Sequence, residues 1–371
     1  MTQPVYIRPI GLVPGPQSEH GNAIRLAGSM AYASRFAVIL RRDGDIVERW
    51  LAAPDTMAQV LGALPDEVGA DAEAQWANLT LAHPPLQLGP RSVALDQPQV
   101  MGILNVTPDS FSDGGRYLDD RAAGREHAAA MVEAGAAIID VGGESTRPGA
   151  KVLWEGDEIE RVVPAIEDCV AMGAAVSVDT RKAAVMEAAL EAGAHLVNDV
   201  SGLAHDPRSA EVVAQAGCPV VLMHAPGAAG EDLHEGGDYD RVAFDVFDTL
   251  RTRRDAALAT GIEARNILLD VGIGFGKSLG ENLALVNALP LFHALGHPLL
   301  FGASRKRMIG ALSKEAPADE RLGGSIALAL EAMRCGVQMV RVHDVAETVQ
   351  ARNVWRGLRD AALTDFSDLP G

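Results

Sequence analysis

The chain has 371 residues, of which 48% are apolar and 4% aromatic, and its formal net charge is −18 at pH 7. This length and composition allow a large core in one big domain or two smaller ones, which excludes a short or disordered protein. The acidic balance argues against nucleic acid or an anionic membrane as the partner, because both require a basic protein surface.

Cysteine usage and the N-terminus predict a cytoplasmic protein. The three cysteines, Cys169, Cys218 and Cys335, are odd in number and too far apart in sequence to form a metal-ligand cluster. The chain begins without a basic region followed by an apolar core, and it has no apolar run long enough to span a bilayer. We therefore expect no membrane partner.

Residues 1–96 differ in pattern from the rest and predict a small N-terminal α/β extension of unknown role. Asp43-Gly44 lies between two runs that carry apolar residues, which predicts a hairpin over residues 36–50. Residues 56–64 predict a short helix, and residues 84–98 read as a connector rich in turn residues. We expect an appended subdomain, or an elaborated floor of the domain that follows, with a packing role.

From Gln99 onward, apolar runs that end in a polar residue alternate with stretches of helical composition. The runs are 100–105, 136–140, 174–179, 194–198, 219–224, 267–270, 299–304 and 337–343. Runs that are apolar almost throughout indicate strands covered on both faces. The helical stretches stop at glycines, which is typical of a left-handed helix end: Gly135, Gly173, Gly193, Gly217, Gly261, Gly296 and Gly336.

Eight such units in about 260 residues predict a (β/α)₈ TIM barrel over residues 97–360, followed by a tail at 361–371. An open doubly wound sheet, which usually has fewer strands, is the alternative. In the barrel, all strand ends face one rim, where such enzymes keep their chemistry. The residues at these ends are Asn105, Asp140, Asp179, Asn198, Asp199, Met223, His224, Asp270, Ser304, Lys306, Arg341 and His343.

The rim residues predict a site for a flat nitrogen heterocycle beside an anion. A period of two places Arg341 and His343 on one face of their strand, and it allows only one of Asn198 and Asp199 to point inward. Two inward carboxylates and an amide suit the adjacent N–H and NH₂ donors of a heterocycle. The cationic run at 304–307, after strand seven, predicts an anion site.

Two other patterns resemble a phosphate-binding loop and a zinc site, but neither is complete. Residues 270–278 contain Gly-Lys-Ser, but Val271 stands where a P-loop needs its first glycine, and Lys277 occupies the third glycine position of the dinucleotide motif. We expect instead a flexible loop that brings Phe275 and Lys277 over a substrate. His224 and His343 have no companion ligand at the spacing of a zinc site.

The motifs at 101–115, 143–149, 177–180, 198–202, 304–306 and 341–344 resemble those of dihydropteroate synthase. The resemblance runs from about residue 99 to 358 and includes every rim element in the family's order. The family condenses 6-hydroxymethyl-7,8-dihydropterin pyrophosphate with 4-aminobenzoate to give 7,8-dihydropteroate and pyrophosphate. The resemblance therefore implies a transferase of folate biosynthesis that uses Mg²⁺ and is a homodimer.

Carried over position by position, the resemblance also implies roles for individual residues. The pterin would be held by Asp179, Asn198, Met223, Asp270 and Lys306. The pyrophosphate would be received by Asn105, Arg147, Arg341 and His343, with Asn105 also helping to hold Mg²⁺. The 4-aminobenzoate pocket, which sulfonamides occupy in this family, would be bordered by Thr146, Pro148, Phe275, Lys277 and Ser304. The catalytic set would be Asn105, Arg147, Lys306, Arg341 and His343.

The sequence departs from the family pattern after strand five and after strand six. Val271 and Ile273 replace a proline and a phenylalanine that are common after strand six, and Ala225 replaces a common methionine after strand five.

Two other functions are alternatives to the synthase. A pterin-binding methyltransferase acting on a methylated folate shares the barrel, although it has no pyrophosphate for Arg341 or His343 to bind. A non-catalytic pterin-binding or assembly role is the third hypothesis.

Overall fold

The computed structural model describes residues 4–106, 121–145, 152–226 and 233–363. The first part is an antiparallel sheet of β1 (Val5–Val13), β2 (Ile24–Arg25), β3 (Tyr32–Arg42) and β4 (Asp45–Ala52), in which β3 pairs with the other three. The predicted hairpin is confirmed, since β3 and β4 pair around Asp43 and Gly44, both with positive φ. Helices α1 (Met57–Leu61) and α2 (Asp66–Thr80) follow, then a two-stranded hairpin of β5 (Leu86–Leu88) and β6 (Arg91–Val93).

The rest of the described chain is a closed barrel of eight parallel strands, each paired with the next in chain order. The strands are β7 (Gln99–Asn105), β8 (Ile138–Gly142), β9 (Val176–Asp179), β10 (Leu196–Asp199), β11 (Val220–Met223), β12 (Ile267–Asp270), β13 (Leu299–Phe301) and β14 (Met339–Val342). Strand β14 pairs with β7 and closes the barrel. The predicted (β/α)₈ TIM barrel is therefore confirmed, and the open doubly wound sheet was wrong.

Helices wrap the outside of the barrel and cover the outward faces of its strands. They are α3 (Arg121–Glu133), α4 (Glu155–Ala171), α5 (Ala183–Glu191), α6 (Ser209–Ala216), α7 (Val242–Ala259), α8 (Leu279–Ala288), α9 (Arg307–Leu312), α10 (Leu322–Arg334) and α11 (Val345–Leu363). The seven glycines predicted to end helices all have φ between 61° and 100°, a region that favours glycine. Across the described segments, none of these helices is long and apolar enough to cross a bilayer.

The hairpin β5–β6 closes the floor of the barrel. Its apolar side chains form one buried cluster with a residue that lies in, or just before, each of the eight barrel strands. The cluster consists of Leu86, Leu88, Val93, Leu95, Met101, Ile138, Ala175, Leu196, Val221, Leu268, Leu300 and Met339. The sequence predicts a connector over residues 84–98 and offers an elaborated floor as one alternative for residues 1–96, but the short strands carry too few residues to show a pattern. With the floor filled, the open space of the barrel lies at the opposite end, where the strands terminate.

The N-terminal sheet is held against the barrel through Tyr6, which is fully buried. Its ring lies 4.3 Å from the ring of Phe244 and 5.5 Å from that of Phe247, both on α7. The Tyr6 hydroxyl donates a hydrogen bond of 2.6 Å to Asp248. Close by, Arg41 on β3 forms a 2.8 Å ion pair with Asp240. Aromatic packing and charge pairing thus fix the extension to the barrel wall.

Tyr6→Ala is expected to lower the free energy of unfolding by about 3–5 kcal/mol, because it leaves a large cavity between two aromatic rings. Tyr6→Phe keeps the packing and removes only the hydroxyl from Asp248, so we expect a loss of about 1–2 kcal/mol. Urea denaturation of both variants measures these losses. A Tyr6→Ala midpoint equal to that of the unsubstituted chain would show that the extension is not anchored in this way.

Candidate active site

Four polar side chains from four strands meet inside the open end of the barrel. Arg341 on β14 donates from Nε to Asp140 Oδ2 at 2.5 Å and from Nη2 to Asp179 Oδ2 at 2.6 Å. Asn198 on β10 donates from Nδ2 to the same Asp140 oxygen at 3.0 Å. One guanidinium is therefore shared by two carboxylates, and the group carries excess negative charge when both acids are ionised.

The alternation of the strands decides which residues reach this group. Asn198 points inward, as its bond to Asp140 shows, whereas the neighbouring Asp199 accepts hydrogen bonds from Ser201 and from the backbone N–H of Leu203. Asp199 thus shapes the turn that follows β10. The prediction that only one of the pair faces the interior is confirmed, and Asn198 is the one.

Asp270 and Arg341 lie on the same side of the mouth, on either flank of Gly302. A Cβ added to Gly302 would stand 3.9 Å from both Asp270 Oδ2 and Arg341 Cδ. The absence of a side chain at this position leaves open space between the acid of β12 and the guanidinium of β14. Segments far apart in sequence therefore converge at the same end of the barrel, as one shared ligand requires.

Burial dominates the ionisation of the two acids predicted to meet the heterocycle. Burial raises the pKa of Asp179 to about 7, with Arg341 opposing the shift and Asp140 adding to it. Burial also raises the pKa of Asp270, against the opposing effect of Lys306. A ligand that brings hydrogen-bond donors or positive charge would therefore stabilise the ionised form of both carboxylates.

The raised pKa of Asp179 predicts a pH dependence of stability. The folded protein binds a proton at Asp179 more tightly than the unfolded chain, so this residue contributes stability at low pH that is lost as pH rises from about 4 to about 7. Asp179→Asn removes this loss. We expect its melting temperature, relative to that of the unsubstituted chain, to be higher at about pH 8 than at about pH 5. A difference that does not change with pH would contradict the assignment.

Lys306 immediately precedes α9, and its side chain reaches the loop that follows β12. Its ammonium group donates to the carbonyl oxygen of Ile273 and lies 4.6 Å from the centre of the Phe275 ring. Burial lowers the pKa of Lys306 to about 8, while Asp270 opposes this shift. Lys306 is therefore a cation beside the acid of β12 and the aromatic ring of the next loop.

Ser304 and His343 meet at the ends of the last two strands. The Ser304 hydroxyl lies 3.1 Å from His343 Nδ1 and accepts the backbone N–H of His343 at 3.2 Å. Between Ser304 and Lys306, Arg305 adopts φ 57° and pairs with Asp344. This turn sends Arg305 outward to Asp344 while Ser304 stays against His343.

Residues 271–278 form the loop after β12, and several of its side chains are buried. Val271 and Ile273 are both buried, so these two departures from the family pattern fill the core. Phe275 packs with Val200, Met223, Ala225 and Leu233 in a small apolar cluster, which we call the apolar wall. The aromatic residue and the methionine predicted to border the ligands therefore share one surface.

Lys277 turns its ammonium group into this loop. The Nζ atom lies 2.9 Å from the carbonyl oxygens of Gly272 and Phe275 and 3.0 Å from His224 Nδ1. Burial lowers the pKa of Lys277 to about 7 and that of His224 to about 2. These contacts are with backbone carbonyl groups and His224, and the place of Lys277 at the border of a substrate pocket stays a prediction.

Asn105 ends β7 beside Gly142 at the end of β8. A Cβ on Gly142 would stand 3.6 Å from Asn105 Oδ1 and 3.7 Å from Asp179 Oδ2, so these oxygens border one space. In the described ranges, no three His, Cys, Asp or Glu side chains group as a metal site. Oxygen donors of this kind fit Mg²⁺, which takes one or two protein oxygens and fills its shell with water and substrate phosphate.

Three of the predicted site residues lie outside the described residues: Thr146, Arg147 and Pro148. Before and after that segment, Glu144 accepts the backbone N–H of Leu153 at 2.9 Å and pairs with Arg181 and Lys182. Lys182 also lies 2.5 Å from the buried Glu158. Sequence analysis missed this network, because its partners are far apart along the chain.

Asp140 is the other residue whose role the sequence did not assign. It was recognised as a strand end, but its contact with both Arg341 and Asn198 makes it the centre of the polar group. Its inward position two residues before Gly142 was the available signal. Paired inward acids on neighbouring strands would have pointed to a shared cation.

The model of the family described as "pterin binding enzyme" matches residues 101–343, more than half of the chain. The chain belongs to this family of pterin-binding enzymes. The match starts in β7 and ends just after β14, so it spans the barrel and leaves the N-terminal sheet outside.

Individual relatives of this pterin-binding enzyme agree in name. The dihydropteroate synthase of Bacillus subtilis is 44% identical over 249 residues, 67% of this chain and 84% of the relative. A probable bifunctional folylpolyglutamate synthase/dihydropteroate synthase of Haloferax volcanii is 48% identical over 266 residues, 71% of this chain but only 31% of that longer protein.

Solved structures of dihydropteroate synthases also match this chain. The dihydropteroate synthase of Xanthomonas albilineans with 4-aminobenzoic acid matches with a TM-score of 0.69 and 43% identity, over 78% of this chain and 100% of that one. The enzyme of Burkholderia cenocepacia complexed with 7,8-dihydropteroate matches with a TM-score of 0.69 and 39% identity, over 76% of this chain and 98% of that one.

Proposed function

We propose that this pterin-binding enzyme is a dihydropteroate synthase. It condenses 6-hydroxymethyl-7,8-dihydropterin pyrophosphate with 4-aminobenzoate and releases 7,8-dihydropteroate and pyrophosphate. The observation that carries the assignment is the convergence of Asp179, Asp270, Lys306 and Arg341 on one barrel mouth, in a chain whose relatives carry this name. The methyltransferase alternative is not favoured, since the relatives and the matching structures are synthases.

The pterin is assigned to the acidic side of the mouth, where Asp179, Asn198, Asp270, Lys306 and Met223 lie. A carboxylate can accept two hydrogen bonds from the adjacent N–H and NH₂ groups of the pterin. Lys306 supplies a donor for a ring carbonyl or nitrogen, and Asn198 can both donate and accept. The apolar wall, with Met223, provides a surface for the flat ring.

The reaction proceeds by loss of pyrophosphate from the pterin CH₂ group, which leaves a cation delocalised over the ring. The excess negative charge of Asp140, Asp179 and Asp270 favours this cation, so stabilisation is mainly electrostatic. Arg341 and His343 meet the departing anion, and Arg147 joins them. Mg²⁺, which Asn105 would help to hold, neutralises charge on the pyrophosphate when it is bound.

The arylamine of 4-aminobenzoate then attacks the CH₂ group and loses a proton as the new C–N bond forms. Because the amine is neutral but weakly nucleophilic, it needs accurate placement more than a strong base. Phe275 and Ser304 are assigned to this pocket, together with Thr146 and Pro148. Closure of the pocket against water protects the cation, because water competes as a nucleophile.

The proposal also covers the three parts of the chain, its location and its oligomeric state. We assign residues 1–96 to an extension that stabilises the barrel, 97–360 to the catalytic barrel and 361–371 to a tail. We also propose that the enzyme is a cytoplasmic homodimer. Sedimentation at micromolar concentration tests the dimer, which predicts twice the mass of the 39.0 kDa chain.

The function is tested by pyrophosphate release from purified protein. We expect release only when the pterin pyrophosphate, 4-aminobenzoate and Mg²⁺ are all present, and we expect chelation of the metal to stop it. Mass spectrometry of the product checks for 7,8-dihydropteroate. Release of pyrophosphate at the same rate without 4-aminobenzoate would indicate a hydrolase. Methyl transfer from a methylated folate would favour the methyltransferase alternative.

A further inference from the structure

Two cations bind the backbone that follows β11, and together they hold the apolar wall in place. Arg253 on α7 donates to the carbonyl oxygens of Met223 at 2.5 Å and Ala225 at 2.9 Å. Lys277 reaches the carbonyl oxygen of the residue between them, His224, at 3.4 Å, and its ring nitrogen at 3.0 Å. Three successive carbonyl groups are thus held by side chains from two different elements.

The same lysine binds its own loop at two further points. Its contacts with the carbonyl oxygens of Gly272 and Phe275 use the hydrogen-bonding capacity of an ammonium group that also meets His224. Gly272 allows this arrangement, because it has φ 69° and a Cβ there would stand 1.9 Å from the His224 carbonyl oxygen. Lys277 therefore cross-links the loop after β12 to the segment after β11.

We propose that Lys277 is a positioning residue: it contacts no substrate, and with Arg253 it fixes the apolar wall against which 4-aminobenzoate and the pterin pack. The wall joins Met223 and Ala225 from one cross-linked segment to Phe275 from the other. This inference rests on the proposed function and reassigns Lys277 from the pocket border to the support behind it. Loss of the cross-link lets the Phe275 loop shift relative to Met223.

A positioning role and a direct ionic contact with the substrate carboxylate make different predictions for a neutral substrate. The test uses Lys277→Met, which keeps the length of the side chain but removes its donors, and compares 4-aminobenzoate with 4-aminobenzamide. For a positioning residue, we expect KM for both compounds to rise by the same factor, about tenfold. KM for the pterin pyrophosphate rises less, because the polar contacts of the acidic side remain.

Lys314→Met serves as the matched control, since Lys314 is exposed and distant in sequence from the loop. It is expected to leave both KM values unchanged. If Lys277→Met does not fold, Lys277→Gln retains two donors and is expected to show a smaller rise that is again equal for the two compounds. Thermal melting of each variant establishes that the protein compared is folded.

The outcomes separate this inference from the proposed function. A rise in KM for 4-aminobenzoate alone, with 4-aminobenzamide unaffected, would show a direct contact between Lys277 and the carboxylate and would overturn the inference. Unchanged KM for both compounds in folded Lys277→Met would also overturn it while leaving the synthase intact. If the unsubstituted enzyme makes no dihydropteroate, the proposed function itself fails and this inference fails with it.

Discussion

Asp270→Asn is expected to reduce kcat/KM for the pterin pyrophosphate by on the order of 10³ or more. The side chain is buried at the end of β12, where burial raises its pKa and Lys306 opposes that shift. An amide offers one acceptor and presents an NH₂ group to the donors of the pterin, so a two-point contact becomes a clash of donors. The cation formed on the ring also loses a nearby negative charge.

The fold is expected to tolerate this substitution. The backbone N–H of Gly272 donates to Asp270 Oδ1 at 2.9 Å, and the oxygen of an asparagine can accept the same bond. Calorimetric titration of a pterin into the variant measures the loss of binding separately from turnover. Asp319→Asn, at an exposed position, is the matched control and should behave as the unsubstituted enzyme. Undiminished pterin affinity in Asp270→Asn would remove Asp270 from the site.

Arg341→Met is expected to lower turnover by on the order of 10² or more, because the developing charge on the pyrophosphate loses its cationic partner. It is also expected to lower the free energy of unfolding by about 3–5 kcal/mol, since Asp140 and Asp179 lose the charge they share. Although burial opposes it, the two carboxylates raise the pKa of Arg341, so they favour its charged form. Kinetics and urea denaturation measure the two effects independently.

A second substitution separates stability from catalysis at this position. Adding Asp179→Asn to Arg341→Met removes one of the unpaired buried charges, so part of the lost stability is expected to return. Activity should not return, because the cation is still missing. Recovery of turnover in the double variant would mean that Arg341 acts only by neutralising Asp179. Turnover of the single variant at the unsubstituted rate would refute its role at the pyrophosphate.

The barrel was predictable because its pattern is local. Eight short strands that are apolar almost throughout recur around the domain, and seven glycines with positive φ end the helical stretches between them. A period of two then limited the inward residues of β10 to one of Asn198 and Asp199, and the hydrogen bond to Asp140 shows that it is Asn198. Helix α2 was missed, because its mixed sequence over Asp66–Thr80 has only a weak apolar face. Its packing depends on contacts with distant parts of the chain.

The partners of the site residues could not be predicted, because they depend on how distant segments meet. The sequence predicts an anion-binding role for Arg341, but it does not indicate that Asp140 and Asp179 form ion pairs with this side chain. It identified Lys277 as a loop cation, but not that carbonyl groups surround it. The direction in which a long side chain points is decided by burial and by available acceptors, which no spacing along one segment reveals.

Acids and cations from separate strands are proposed to bind one compound at the barrel mouth. A crystal structure with a bound pterin pyrophosphate would show whether they do. We expect the ring N–H and NH₂ groups within hydrogen-bond distance of Asp270 and Asn198, Lys306 at the ring edge, and the phosphates beside Arg341 and His343. A pterin bound outside the barrel, or one with its phosphates directed away from Arg341, would show that these residues do not form one site.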